Sequence, residues 1–118
     1  MEKITCDTIL NQLTEWIENK QIISADIWLN SASKLNILRS QEHDKLFDLQ
    51  QRVAQQKVVF IQNGGMSVAE AKVRSEATDE YREMLKQKAK LDRIEESIRI
   101  SKTQARLAGE EYRHSNLN

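Results

Sequence analysis

Asn63-Gly64-Gly65-Met66-Ser67-Val68-Ala69-Glu70 is the stretch whose reading decides the fold. Two glycines behind an asparagine stop a helix, because glycine tolerates backbone angles that side chains avoid. Ser67 and Glu70 then form a capping box, in which the serine hydroxyl meets a free amide and the glutamate reaches back. One helix ends near 62, the turn takes 63–66, and another helix starts at 68. Gly64, Gly65, Ser67 and Glu70 are the structural residues of a hairpin.

On the N-terminal side, positions 28, 32, 35, 39, 42, 46, 49, 53, 56 and 60 alternate steps of four and three. They read Trp28, Ala32, Leu35, Arg39, Glu42, Leu46, Leu49, Val53, Gln56 and Phe60, a coiled-coil-like seam. This predicts a helix over about 25–62, with a kink or break near Ser40 where Arg39 and Glu42 interrupt the seam. Before it, Ile9, Leu10, Leu13, Trp16 and Ile17 recur at helical spacing. A short helix over about 6–20 follows, capped by Thr5 or Asp7, and Ser24 is placed to cap the next helix.

On the C-terminal side a single helix is expected over 68–107, ended by Gly109, with residues 108–118 a frayed tail. At 100° per residue, Val73, Ala77, Tyr81, Met84, Leu91, Ile94, Ile98 and Ala105 gather on the side that packs on the second helix, with Lys88 at its edge. Leu85, Ala89, Ile100 and Leu107 lie nearly opposite and need another neighbour, either the first helix or a second subunit. The fold class is therefore all-α: a short N-terminal helix, then a long antiparallel helical hairpin in a single domain. The expected assembly is a homo-oligomeric helical bundle, since an extended hairpin buries little apolar surface by itself.

Composition agrees with this. The 118 residues include no proline and three glycines, and 31% are charged, as in long helices. Formal net charge is zero, which argues against coating nucleic acid by bulk electrostatics. The charge is unevenly placed. Glu2, Asp7, Glu15, Glu18 and Asp26 face only Lys3 and Lys20 within residues 1–30, whereas residues 82–106 hold eight bases against four acids. Cys6 is the one cysteine, and no apolar run approaches a membrane span, so a reducing cytoplasm is expected.

Catalytic signals are missing from the sequence. Cys6, His43 and His114 share no metal-ligand spacing. Gly64-Gly65 lacks the Lys-Ser/Thr of a phosphate loop, and nothing supplies a nucleophile with a base and an orienting group. The expectation is a non-enzymatic protein with no cofactor, metal or small-molecule substrate. Arg82, Lys86, Lys90 and Arg93, spaced by four, four and three, form a solvent-facing basic stripe; Arg99, Lys102 and Arg106 form a second cluster. Such cations can grip phosphates, or they can line a solvated face threaded with pairs to Glu83 and Asp79. The acidic head and the outer apolar stripe can equally dock a protein partner, and a purely structural coiled-coil subunit is a third reading.

Ser24-Ala25-Asp26-Ile27-Trp28-Leu29-Asn30, Lys34-Leu35-Asn36-Ile37-Leu38 and the Asn63-Gly64-Gly65 hairpin resemble small helical proteins encoded by bacteriophages. Asp79-Glu80-Tyr81-Arg82 and the run from Ile94 to Lys102 add to the likeness. The layout resembles the UvsY-type recombination mediators over about residues 24–106. That resemblance implies a helical-hairpin oligomer that helps load a recombinase onto single-stranded DNA in the host cytoplasm. It further implies that the basic residues of the last helix contact DNA and that apolar helix faces assemble the ring or bundle.

Overall fold

The computed structural model describes the backbone of residues 5–117 and the side chains of residues 5–110. Glu2 and Lys3 of the acidic head lie outside the described residues, and His114 lies outside the described side chains. Four helices follow one another: α1 (Cys6–Glu18), α2 (Ala25–Gln62), α3 (Val68–Glu76) and α4 (Asp79–Leu117). Helices α2 and α4 are the antiparallel pair. By packing, the chain divides into unit 1, Met1–Ser40 with Asp92–Asn118, and unit 2, Gln41–Leu91.

Unit 1 has an apolar core drawn from three helices. Cys6, Ile9, Leu10 and Leu13 of α1 meet Trp28, Ala32 and Leu35 of α2 and Ile94, Ile98 and Ala105 of α4. Trp16 closes the edge against Trp28, ring centroids 5.4 Å apart and nearly perpendicular, the arrangement that aromatic quadrupoles favour. Helix α1 starts at Thr5, whose Oγ1 accepts from the Thr8 N–H. It ends in a Schellman turn: Lys20 N–H donates to the Ile17 carbonyl and Gln21 N–H to that of Trp16. Lys20 there holds φ +50°, a position usually left to glycine. The helix stops at Glu18, two residues short of the expected end. Ile9, Leu10 and Leu13 each contribute about 1.5–3 kcal/mol of gross apolar burial, which fastens α1 to its own hairpin.

Unit 2 is built differently. Its buried apolar side chains are Val53, Ala71 and Leu91, and Glu42 and Ser75 are buried as well. The Glu42 carboxylate accepts from Gln87 Nε2 at 2.7 Å and from Lys45 Nζ at 3.1 Å, and Lys90 Nζ stands 3.5 Å away. Gln87 also donates to the Glu42 carbonyl. Burial pushes this carboxyl up. The hydrogen bonds from Gln87 and Lys45, with the charges of Lys90 and Lys45, outweigh that effect and hold it below the usual carboxylate range. At the other end of the unit, Glu80 is kept below its ordinary value by its own backbone N–H at the start of α4. The Gln56 amide and the charge of Arg52 on α2 add to this.

The seam on α2 is occupied throughout. All ten positions of the four–three series are buried or half-buried. The break expected near Ser40 does not occur: α2 runs unbroken from Ala25 to Gln62, because Glu42 finds its partners on α4 without leaving the helix. The turn forms as expected, and each glycine is needed for its own reason. A Cβ on Gly64 would stand 2.7 Å from the Phe60 carbonyl oxygen, and Gly65 holds φ +63°. Ser67 Oγ accepts from the Glu70 N–H at 3.2 Å; among the described residues only this serine half of the capping box is made.

The single helix expected over 68–107 is corrected to two. Ala77 turns its N–H to the Arg74 and Ser75 carbonyls. Thr78 Oγ1 donates to the Ser75 carbonyl at 2.6 Å and accepts from the Tyr81 N–H at 3.3 Å. Thr78 thus caps α4, with Asp79 and Glu80 favourably placed in its first turn. The break resets the helical phase. Val73, 70% exposed, and Ala77 therefore leave the predicted inner face, while Ala71 and Ser75 take the buried side of α3. Tyr81, Met84, Leu91, Ile94, Ile98 and Ala105 do lie inward, whereas Lys88 is exposed. At the far end α4 continues through Gly109 to Leu117 rather than fraying from 108. Gly109 does not adopt positive φ; glycine permits an end there without compelling one.

Candidate functional site

Helix α4 carries every basic residue singled out by the sequence, and the structure separates them by environment. In unit 2, Arg82 and Lys86 are exposed, with Lys86 Nζ 3.5 Å from Glu83. Lys90 is corrected: it is half-buried and engaged with Glu42, so it does not belong to a solvent-facing stripe. Pairing across the hairpin, invisible to spacing along one helix, is the reason.

In unit 1, Arg93, Arg99, Lys102 and Arg106 are exposed. Arg99 makes a bidentate bond to Glu96, which raises the arginine pKa and lowers that of the glutamate. Arg106 Nη1 lies 3.7 Å from Glu110. Both are exposed pairs one helical turn apart. Solvent and salt screen such pairs, so an incoming anion can displace the carboxylate.

Lys102 and Arg106 also line a groove of about 360 Å³ together with Leu29, Ala105, Gly109 and Glu110. Its apolar floor comes from Leu29 on α2 and from Ala105 and Gly109 on α4. The absence of a side chain at Gly109 keeps it open, since nothing lies within 4 Å of where a Cβ would stand. Two cations beside an apolar trough can hold phosphate groups while a planar or aliphatic group rests on the floor. Spacing on α4 flagged the cations, but Leu29 and Gly109 gave no sign of their part, Leu29 because it belongs to another helix.

The residues proposed for a partner face are also divided. Leu85 (46%) and Leu107 (40%) are partly exposed, Ala89 is exposed and Ile100 is half-buried. Leu85 and Ala89 belong to unit 2, and Ile100 and Leu107 to unit 1. In unit 1 the core already places α1 beside α4, which answers where the first helix docks. No described helix is long and apolar enough to cross a membrane. Comparison with protein-family models, with curated proteins and with solved structures finds no match to this chain.

Proposed function

We propose that this chain is a non-enzymatic accessory protein that binds single-stranded DNA, in the manner of a recombination mediator. The observation that carries the reading is the unit 1 groove, where Lys102 and Arg106 stand beside the apolar floor of Leu29, Ala105 and Gly109. Arg99, one turn away, supplies a third cation. The layout resemblance to UvsY-type proteins supports the same reading and gives it its biological setting. Phosphates would exchange with the Glu96 and Glu110 carboxylates, and bases would rest on the trough. Electrostatic contacts of this kind fix a strand without reading its sequence.

The test is fluorescence anisotropy of a labelled single-stranded oligonucleotide across a salt series, with a duplex as comparison. Two to three phosphate contacts predict a slope of log K against log salt of about −1.4 to −2 for single strands. Absence of binding at low salt overturns the reading and leaves these cations as a solvated face.

A second reading is favoured by a specific feature at the acidic end of unit 1. Ile17, Ile22 and Ile27 are exposed, Ile22 fully, among Glu15, Glu18 and Asp26. Such a surface would dock a protein, making the chain an adaptor or inhibitor of a host complex. Capture from host lysate that enriches nothing beyond an Ile22→Ser/Ile27→Ser control removes it.

A further inference from the structure

We propose that Glu110 makes the unit 1 groove prefer bases that carry an exocyclic amino group, cytosine over thymine in particular. This rests on the single-stranded DNA reading and adds to it a choice between bases. Lys102, Arg106 and Glu110 follow one another at intervals of four on α4, and all three are exposed. They therefore form one row along the groove, with successive members about 6 Å apart. The row reads cation, cation, carboxylate. Beside it lies the floor of Ala105, Gly109 and Leu29, which offers no polar side chain. Lysine and arginine only donate hydrogen bonds. Among the described residues that line the groove, Glu110 is thus the one side-chain acceptor.

Arg106 Nη1 lies 3.7 Å from the Glu110 carboxylate, too far for a good hydrogen bond. A phosphate taken up by Arg106 competes with even that contact. The carboxylate is then left at the groove edge with acceptor capacity to fill, and a base resting on the floor turns an edge towards it. Cytosine presents its N4 amino group, a donor that carboxylates accept from. Thymine presents O4 at the same ring position, a second acceptor that the carboxylate repels. The two pyrimidine rings ask nearly the same of the floor, so the difference between them isolates Glu110.

The Glu110 side chain is 49% exposed, so water competes for the carboxylate. The preference is accordingly modest, about three- to tenfold in affinity, the worth of a single hydrogen bond made in competition with water.

The test is anisotropy of the full chain with a cytosine-only and a thymine-only oligonucleotide of equal length, at neutral pH and low salt. Wild type should bind the cytosine strand about three- to tenfold more tightly. An amide both donates and accepts, so Glu110→Gln should bring the two affinities together, chiefly by strengthening the thymine strand. Glu96→Gln removes the same charge from a residue that does not line the groove; it should strengthen both strands alike and keep their ratio. Equal binding of the two strands by wild type, or tighter binding of thymine, overturns the assignment while leaving the DNA reading intact. A cytosine preference that survives Glu110→Gln, or that Glu96→Gln abolishes, also overturns it. No binding of either strand defeats the DNA reading itself, and the assignment with it.

Discussion

Unit 1 and unit 2 use the same two long helices yet are held together by different physics. Unit 1 packs apolar side chains from three helices around Leu35 and Ile94, both fully buried. Unit 2 replaces that layer with a carboxylate, an amide and two ammonium groups around Glu42, and leaves valines, Phe47 and Ile61 facing outward. The contrast teaches that a seam can be continuous in sequence while its stabilisation changes along it. A polar layer gives less cohesion but fixes register, because Gln87 and Lys90 reach the Glu42 carboxylate from α4.

The comparison predicts its largest effect in unit 1. Leu35→Ala or Ile94→Ala should cost about 2–5 kcal/mol by denaturant unfolding; a loss under 1 kcal/mol would mean that the unit 1 core contributes little. Glu42→Ala should cost about 1–3 kcal/mol through its abandoned hydrogen-bond partners. Glu42→Leu should cost clearly less, since an apolar side chain restores the seam. Equal losses for the two variants would refute the view that the polar layer sets register more than stability.

Acid should sharpen the same contrast. The folded Glu42 carboxyl sits below its ordinary value of 4.5, so on acidification the unfolded chain takes up the proton first. The stability that Glu42 supplies is complete above about pH 4.5 and is lost as pH falls through the lowered folded value. Urea midpoints measured from pH 6 to 3 should therefore fall less steeply for Glu42→Gln than for wild type; parallel curves would exclude the contribution. The smallest effect expected is at the α3–α4 break, where Thr78→Ala should cost about 1 kcal/mol, the usual worth of an N-cap. Thermal unfolding unchanged by that substitution would mean that other contacts stop α3.

The parts legible in the sequence were those written in short-range chemistry. The α2 seam was readable to the residue because four–three spacing survives a polar insertion. Gly64, Gly65 and Ser67 announced the turn because few other residues satisfy it. The break at Ala77-Thr78 was missed because Val73, Ala77 and Tyr81 imitate one continuous face and no glycine or proline interrupts them. Its signal was Thr78 followed by Asp79 and Glu80, a capping residue with acids in the first turn. Gly109 misled in the opposite sense. Among the candidate site residues, spacing along α4 marked Arg99, Lys102 and Arg106 as a cluster, whereas the pairing of Arg99 with Glu96 and of Arg106 with Glu110 is a finding of the structure. The engagement of Lys90 by Glu42, and the placing of Leu29 beside Lys102, depend on which helices meet, which spacing along one helix does not encode.

The most direct test of the account sets the cations of the two units against each other. Oligonucleotide anisotropy should be measured for Lys102→Glu/Arg106→Glu and for Arg82→Glu/Lys86→Glu beside wild type. The account predicts that the unit 1 variant loses binding, with its salt slope smaller in magnitude by about 1.4, while the unit 2 variant is affected far less. Equal losses in both, or a loss confined to the unit 2 variant, would contradict the assignment of the groove beside Leu29 and Gly109 as the DNA-binding surface.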